Sequence, residues 1–491
     1  MTALKSLFSL NKKNTLIFMA IITAWRIFLS ATLQLHQDEA YYWLWTKHLS
    51  LGYFDHPPMV GYFIWLTTLI SPSEFFVRLS AILVSIVLSV IVWKLSKQIF
   101  EKDEIAAGSV LLLNLYPMTM AGSIIVTPDV PAFLFWGLSV YFAWQVFRTQ
   151  STVFWYLTGI SFGMALVSKY TTVLFAACLF LFLIFTDERK HLKTIHPYLA
   201  LLVSFIVFLP VVYWNSQNDW ISFKFQLGHG LSNKTVYSFA NLLEYFGGQL
   251  MVLTPFAWLA GFYAAIACFF GKNKGKLFLS LMSVPIILFF AYASLKKSGE
   301  ANWPALAYFS FTIVLSGYLF AEEAMSGFKK SLWLLTLITC LVFSSIVTLH
   351  ARFTVLPLEK FNKEWPQTDA TNFFYGWREL AEEVSKINGV DFIITPSHQL
   401  SALLSYYTKE KYYTYIDEKI TRKSQFNLWK FQEKYQGKNG LYINTDEMTM
   451  EPYKELFSSY DTPKMLTVYR KGYAIRTYRI TYGRSFHSSL Y

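Results

Sequence analysis

Charge is what this sequence has least of. Charged residues fill 15% of its 491 positions, where a soluble domain carries about a quarter, so the chain lacks the polar surface to face water on all sides. Cysteine is sparse as well. Cys178, Cys268 and Cys340 each stand inside an apolar run, which leaves packing as their role and speaks against a disulfide framework or a thiolate zinc site. Internal repeats and low-complexity tracts are missing too. What is abundant is apolar: 54% hydrophobic and 19% aromatic residues, a level of Trp and Tyr that suits two interfacial belts at headgroup depth. The formal charge is +12. Its basic residues fall between apolar runs, so they read as cytoplasmic-loop Lys and Arg and not as a nucleic-acid surface.

Runs able to cross about 30 Å of hydrocarbon recur at roughly 15–34, 75–97, 104–126, 130–147, 153–168, 171–186, 197–214, 243–269, 277–295, 303–321 and 331–349. The first follows Lys5, Lys12 and Lys13. It is longer than the 7–15-residue core of a cleaved signal, so it is expected to remain as a first span. With the N-terminus inside, Lys94, Arg148, Arg189, Lys272 and Lys329 fall in cytoplasmic loops, and an odd number of spans sends the C-terminal region outside. From His350 the character changes. Gly376–Val384 has helical spacing, Asp391–Thr395 and Gly440–Asn444 read as strands, and Met465–Tyr482 is β-rich. The expected fold is an α-helical polytopic membrane protein of about 11 transmembrane helices over residues 1–349, with an outer α/β domain over 350–491.

Two outer loops carry the informative residues. The first reads His36-Gln37-Asp38-Glu39-Ala40-Tyr41-Tyr42-Trp43 and continues through Gly52-Tyr53-Phe54-Asp55-His56-Pro57-Pro58. Paired carboxylates at the mouth of a helix can accept a proton from an acceptor hydroxyl, although Asp38 is equally well placed to cap the aromatic helix that follows. The second loop is Thr127-Pro128-Asp129-Val130-Pro131, where an acid beside early-helix prolines is also ordinary capping. Both acidic loops fall on the same side of the membrane. Lys169 stands at the outer end of two short apolar runs, an ionisable group at a depth where function is the default expectation and snorkelling the alternative.

Together with Ser168-Lys169-Tyr170, Ala301-Asn302-Trp303-Pro304-Ala305 and Gly376-Trp377, these stretches resemble the membrane glycosyltransferases of the C superfamily. The branch they resemble groups protein O-mannosyltransferase relatives with the aminoarabinose and galacturonic acid transferases of lipopolysaccharide. The resemblance implies a polyprenyl-phosphate sugar donor, an inverting transfer, a lipid A or other envelope acceptor, and an active site on the periplasmic face of the bacterial inner membrane. On it, Asp38 matches the essential first-loop acid, Glu39 the second member of its pair, and Asp129 the acid after the third span. Asp55-His56-Pro57 falls where the aminoarabinose transferase has Glu-Lys-Pro, and Tyr41 where it has an arginine. His56 and Lys169 are then the candidate phosphate contacts, since the leaving group departs as an anion. Tyr53 and Tyr170, inside the matching stretches, and Glu300, Asn302 and Trp303 are candidate substrate-facing residues. No cofactor is demanded; Asp55 and His229 are the candidate ligands for a divalent metal, and two ligands do not make a site. A protein O-mannosyltransferase-like activity and, from another class, a lipid or sugar transporter or flippase are the alternatives. A transporter calls for ionisable groups at mid-membrane, and Arg26 is the main one.

Overall fold

The computed structural model describes residues 10–230, 237–322, 325–420, 422–430, 433–445 and 451–487. The chain forms two compact units: Met1–Phe28, Leu51–Phe63 and Arg78–Ser345 make the first, and Leu29–Ser50, Ile64–Val77 and Ile346–Tyr491 the second.

The chain is a mostly helical, polytopic membrane protein. Six described helices are long and apolar enough to cross a bilayer: Lys12–Thr32, Glu74–Phe100, Asp129–Thr149, His196–Gln217, Lys274–Ser294 and Gly327–Phe353. Two bent pairs bring the number to as many as eight, against the eleven expected. The difference lies in spans that are broken or short. The run at 104–126 divides into Asp103–Leu115 and Pro117–Gly122, because Pro117 has no N–H to continue the ladder. Val153–Leu166 and Ala307–Phe320 have 14 residues each, short of the ~20 a span needs. The run at 243–269 splits at Thr254 and bends by 106°. Thr254 takes a left-handed φ of 78° ahead of Pro255, where a helical conformation is disfavoured anyway. Met59–Thr68, read from sequence as loop, is a short apolar helix.

Small residues let two helices of the first unit touch. A Cβ built on Gly159 would stand 2.4 Å from the Ala200 carbonyl, and one on Gly163 2.6 Å from Val207 Cβ. Gly159-Ile160-Ser161-Phe162-Gly163 thus packs against His196–Gln217 through a small-xxx-small face. Arg26 is buried and tied to neighbouring helices through one end of its guanidinium: its Nη1 donates to Asn114 Oδ1 at 2.8 Å and Ser85 Oγ at 3.1 Å, while its Nε has no partner among the described residues. It acts as interhelical glue, which removes the main feature favouring a transporter.

Among the described residues the second unit holds six strands: β1 (Phe392–Thr395), β2 (Tyr413–Ile416), β3 (Gly440–Thr445), β4 (Phe457–Tyr460), β5 (Lys464–Arg470) and β6 (Tyr473–Phe486). Their order is β2-β1-β3-β6-β4, with β5 also paired to β6. β1 runs parallel to both β2 and β3, and all four of its residues are buried, as expected for a strand covered on both faces. The helix His398–Tyr407, capped by Ser397, makes the crossover from β1 to β2. Lys471 and Gly472, at φ 48° and 85°, supply the two left-handed residues of the tight turn between β5 and β6.

Arg470, the last residue of β5, clamps the end of Gly327–Phe353. Its guanidinium donates to Asp369 Oδ2 at 3.0 Å, Asn372 Oδ1 at 2.8 Å, Thr354 Oγ1 at 2.9 Å and the His350 carbonyl at 2.6 Å. His350 Nδ1 accepts the Leu356 amide, so its proton sits on Nε2 and is donated to Asp369 at 2.8 Å. Burial alone would raise the Asp369 pKa, but bonds from Thr371 and His350 and the Arg470 charge outweigh it and hold the carboxyl below its ordinary range.

Candidate active site

Lys169 occupies the break between Val153–Leu166 and the 3-10 turn Tyr170–Val173, in extended backbone. Asp129 opens the helix Asp129–Thr149, whose N-cap is Pro128. A charge in an apolar unit persists only with a partner, and here the two meet: Lys169 Nζ donates to Asp129 Oδ1 at 2.6 Å, with the side chains 11% and 24% exposed. The second carboxylate oxygen accepts Asn302 Nδ2 at 3.0 Å. Asp129 is therefore not the capping residue, and its side chain is spent on side chains instead. Among the described residues Nζ donates to Asp129 alone, so two of the ammonium's three N–H groups remain for an incoming anion.

The loop carrying Asp55 and His56 is fastened to the same region. The Met59 amide, just after it, donates to the Val167 carbonyl at 3.3 Å, and Met59, Val167 and Val211 form a buried cluster that Tyr170 joins. The Tyr170 hydroxyl meets Ser222 Oγ at 2.9 Å and accepts Asn215 Nδ2 at 3.4 Å. Gln226 Nε2 donates to the Asp55 carbonyl at 2.5 Å, and the Phe54 and Phe225 rings lie 4.9 Å apart. Tyr53 and Asp55 are buried and His56 half-buried. His229 lies on the helix Ile221–Gly230, but its side chain falls outside the described residues, so its pairing with Asp55 does too. Among the described residues no three His, Cys, Asp or Glu side chains gather as a metal-ligand group. Of the 300–303 stretch, Asn302 joins the Asp129 cluster, the Trp303 ring lies 5.9 Å from Phe290, and the Glu300 side chain is exposed.

Asp38, Glu39 and Tyr41 belong to the second unit, on the helix Gln37–Trp45. The capping residue is His36, not Asp38. Its Nδ1 accepts the Asp38 amide at 3.3 Å, and Glu39 Oε2 reaches back to the His36 amide at 2.8 Å, closing a capping box. With Nδ1 accepting a proton, the 3.7 Å approach of that atom to Asp38 Oδ2 is not an ion pair. The half-buried Asp38 carboxylate is thus presented at a fixed helix start while Glu39 is buried beneath it. Tyr41 is buried, with its ring 4.7 Å from His398 and its hydroxyl accepting the Gln425 amide at 2.9 Å.

Comparison with known proteins bears on what these groups do. Residues 55–214 match the family described as dolichyl-phosphate-mannose-protein mannosyltransferase. Over 414 residues the chain is 24% identical to a protein of Rhizobium johnstonii named lipid A galacturonosyltransferase RgtD, covering 82% of this chain and 84% of that one. The crystal structure of ArnT from Cupriavidus metallidurans bound to undecaprenyl phosphate superposes with a TM-score of 0.69 over 97% of this chain and 98% of that one, at 12% identity. Its apo form gives 0.68. The chain is thus similar in sequence to a membrane glycosyltransferase over most of its length, and it shares the ArnT fold.

A lysine with uncommitted N–H groups can hold an anion, and a presented carboxylate can orient a nucleophile or take its proton. Each unit holds residues of one type: a partnered lysine in the first and a presented aspartate in the second. Sequence reading missed Asn215, Ser222 and Gln226, which brace Tyr170 and the Asp55 loop. The signal that could have found them is the run of polar residues from Asn215 to Gln226, interleaved with Trp220, Ile221, Phe223 and Phe225.

Proposed function

We propose that the chain transfers a sugar from a polyprenyl-phosphate donor to lipid A or another lipopolysaccharide acceptor, at the periplasmic face of the bacterial inner membrane. The observation that carries this reading is the half-engaged Lys169 ammonium, held by Asp129 within an apolar helical unit. Support for the donor comes from the undecaprenyl phosphate named for the ArnT structure. Support for the acceptor comes from the lipid A named for the Rhizobium relative.

In this scheme Lys169 and His56 hold the donor phosphate, with Asp129 and Asn302 fixing the lysine. Asp38 takes the proton of an acceptor hydroxyl, or positions an acceptor phosphate that is already anionic. The nucleophile forms its bond to the anomeric carbon as the carbon–oxygen bond to phosphate breaks. The electron pair leaves on the phosphate oxygen and the anomeric configuration inverts. Stabilising that departing charge in a dry site is the largest contribution a protein makes to such a step. The family match at residues 55–214 favours one second reading, transfer to protein Ser or Thr.

The test is transfer by purified protein from an undecaprenyl-phosphate sugar to lipid A. Asp38→Asn should fold and lose transfer. Full activity in that variant would remove Asp38 from the reaction, and transfer to a Ser/Thr peptide in place of lipid A would install the second reading.

A further inference from the structure

The apolar helix Tyr170–Phe185 begins directly after Lys169 and ends at Thr186, where the chain bends by 113° into the polar 3-10 turn Asp187–Lys193. At about 1.5 Å per residue the helix is roughly 24 Å long, close to the ~30 Å of a hydrocarbon core. The bend therefore lies at the membrane face away from Lys169. The start of the span Lys274–Ser294 meets it there. Glu188, 2% exposed, holds the two segments together: its Oε1 accepts Lys274 Nζ at 2.5 Å, and its Oε2 lies 3.1 Å from His191 Nε2. Residues of both segments line a cavity of about 330 Å³ that the transfer scheme does not use, within the ~300–1,000 Å³ of small-ligand sites.

Arg189, Lys272 and Lys274 line the cavity against one carboxylate, Asp187. With buried Glu188 and its neighbour Lys190 at 3.5 Å included, four cations stand against two carboxylates. Lys274 is partly committed to Glu188, whereas the exposed Arg189 and Lys272 side chains have no partner among the described residues. Ile184 and Phe185 also contribute to the lining, and Phe270 stands just ahead of the lining residue Gly271. Phe185 and Phe270 are 67% and 87% exposed, so in a membrane-spanning chain they are placed to meet lipid. A free phosphate would use the cations and leave these apolar side chains idle. A zwitterionic headgroup would bring its own cation to a site already in positive surplus. A lipid phosphodiester of net negative charge uses both features, as basic pockets at the cytoplasmic ends of transmembrane helices do.

We propose that this cavity binds an anionic glycerophospholipid in the leaflet away from Lys169, with its phosphodiester held by Arg189 and Lys272 beside Lys274. A lipid there braces the far end of the helix that starts at Lys169, whatever the chain transfers.

The experiment is native mass spectrometry of the full chain, released from detergent micelles carrying equal amounts of phosphatidylglycerol and phosphatidylcholine. Phosphatidylglycerol should be retained in preference by about tenfold or more, and Arg189→Gln and Lys272→Gln should each weaken its binding about fivefold. Both side chains are exposed, so the variants fold. Lys193→Gln, in the same turn but outside the lining, should leave binding unchanged. Equal retention of the two lipids overturns the proposal. An equal loss in Lys193→Gln also overturns it, because the attraction is then a diffuse basic face and not this cavity. Displacement of phosphatidylglycerol by millimolar inorganic phosphate does the same, since the site is then one for a soluble anion.

Discussion

Lys169 Nζ and Asp129 Oδ1 lie 2.6 Å apart, joining a helix break to a helix start 40 residues earlier. The pair is mostly buried, so removing one partner strands the other, a change that typically costs 3–5 kcal/mol. Lys169→Met should therefore lower the melting temperature and reduce transfer by about 10²-fold or more. The double variant Lys169→Met/Asp129→Asn should regain stability without regaining transfer. Recovered transfer in the double variant would show that Lys169 serves only to neutralise Asp129.

Arg470 gathers Asp369, Asn372, Thr354 and the His350 carbonyl around one guanidinium. A lysine cannot reproduce that fork. Arg470→Lys should destabilise the second unit nearly as much as Arg470→Met, by about 3–5 kcal/mol, as read by thermal melts or amide exchange at 350–356. A silent Arg470→Lys would mean that charge alone holds the helix end.

His398 is buried against Tyr41, and desolvation, with a lesser contribution from Arg422, lowers its pKa to about 4. The unfolded chain, with a histidine near 6.5, binds that proton first, so protonation favours unfolding. The neutral ring's contribution, on the order of 3 kcal/mol, is present above about pH 6.5 and is lost as pH falls towards 4. The melting temperature should decline over that window, and His398→Phe should flatten the decline. An equal decline in His398→Phe would assign it to other groups.

The close approach at Gly159 and Gly163 sets the helix that leads into Lys169. Gly159→Val places side-chain atoms where the Ala200 backbone already is, so melting temperature and transfer should fall together. Gly122→Ala, with open space at its Cβ position, should leave both unchanged.

Much of this architecture is legible in local sequence. Apolar runs mark helical segments because bilayer burial demands them, and Asp391–Thr395 and Gly440–Asn444 announce β1 and β3 through dense β-branched and aromatic residues. Broken spans are less legible: Pro117 and Pro255 stand in plain view, but hydropathy averages over them. Partnerships are the least legible. Nothing near Lys169 in sequence points to Asp129, or to Asn302 173 residues beyond Asp129, because a buried pair is selected by tertiary proximity and leaves no period. Asp38 has the composition of a helix cap, yet His36 takes that place because Glu39 closes the box from the third helical position. That Tyr41 would shelter the Gln425 amide follows only from the fold.

The most direct test of sugar transfer to lipopolysaccharide is mass spectrometry of lipid A and core from cells with and without the gene. The expected result is loss of a hexose-, hexosamine- or uronate-sized increment in the deletion, restored by the wild-type chain and not by Asp38→Asn. Lipid A and core identical in mass with and without the gene would contradict it.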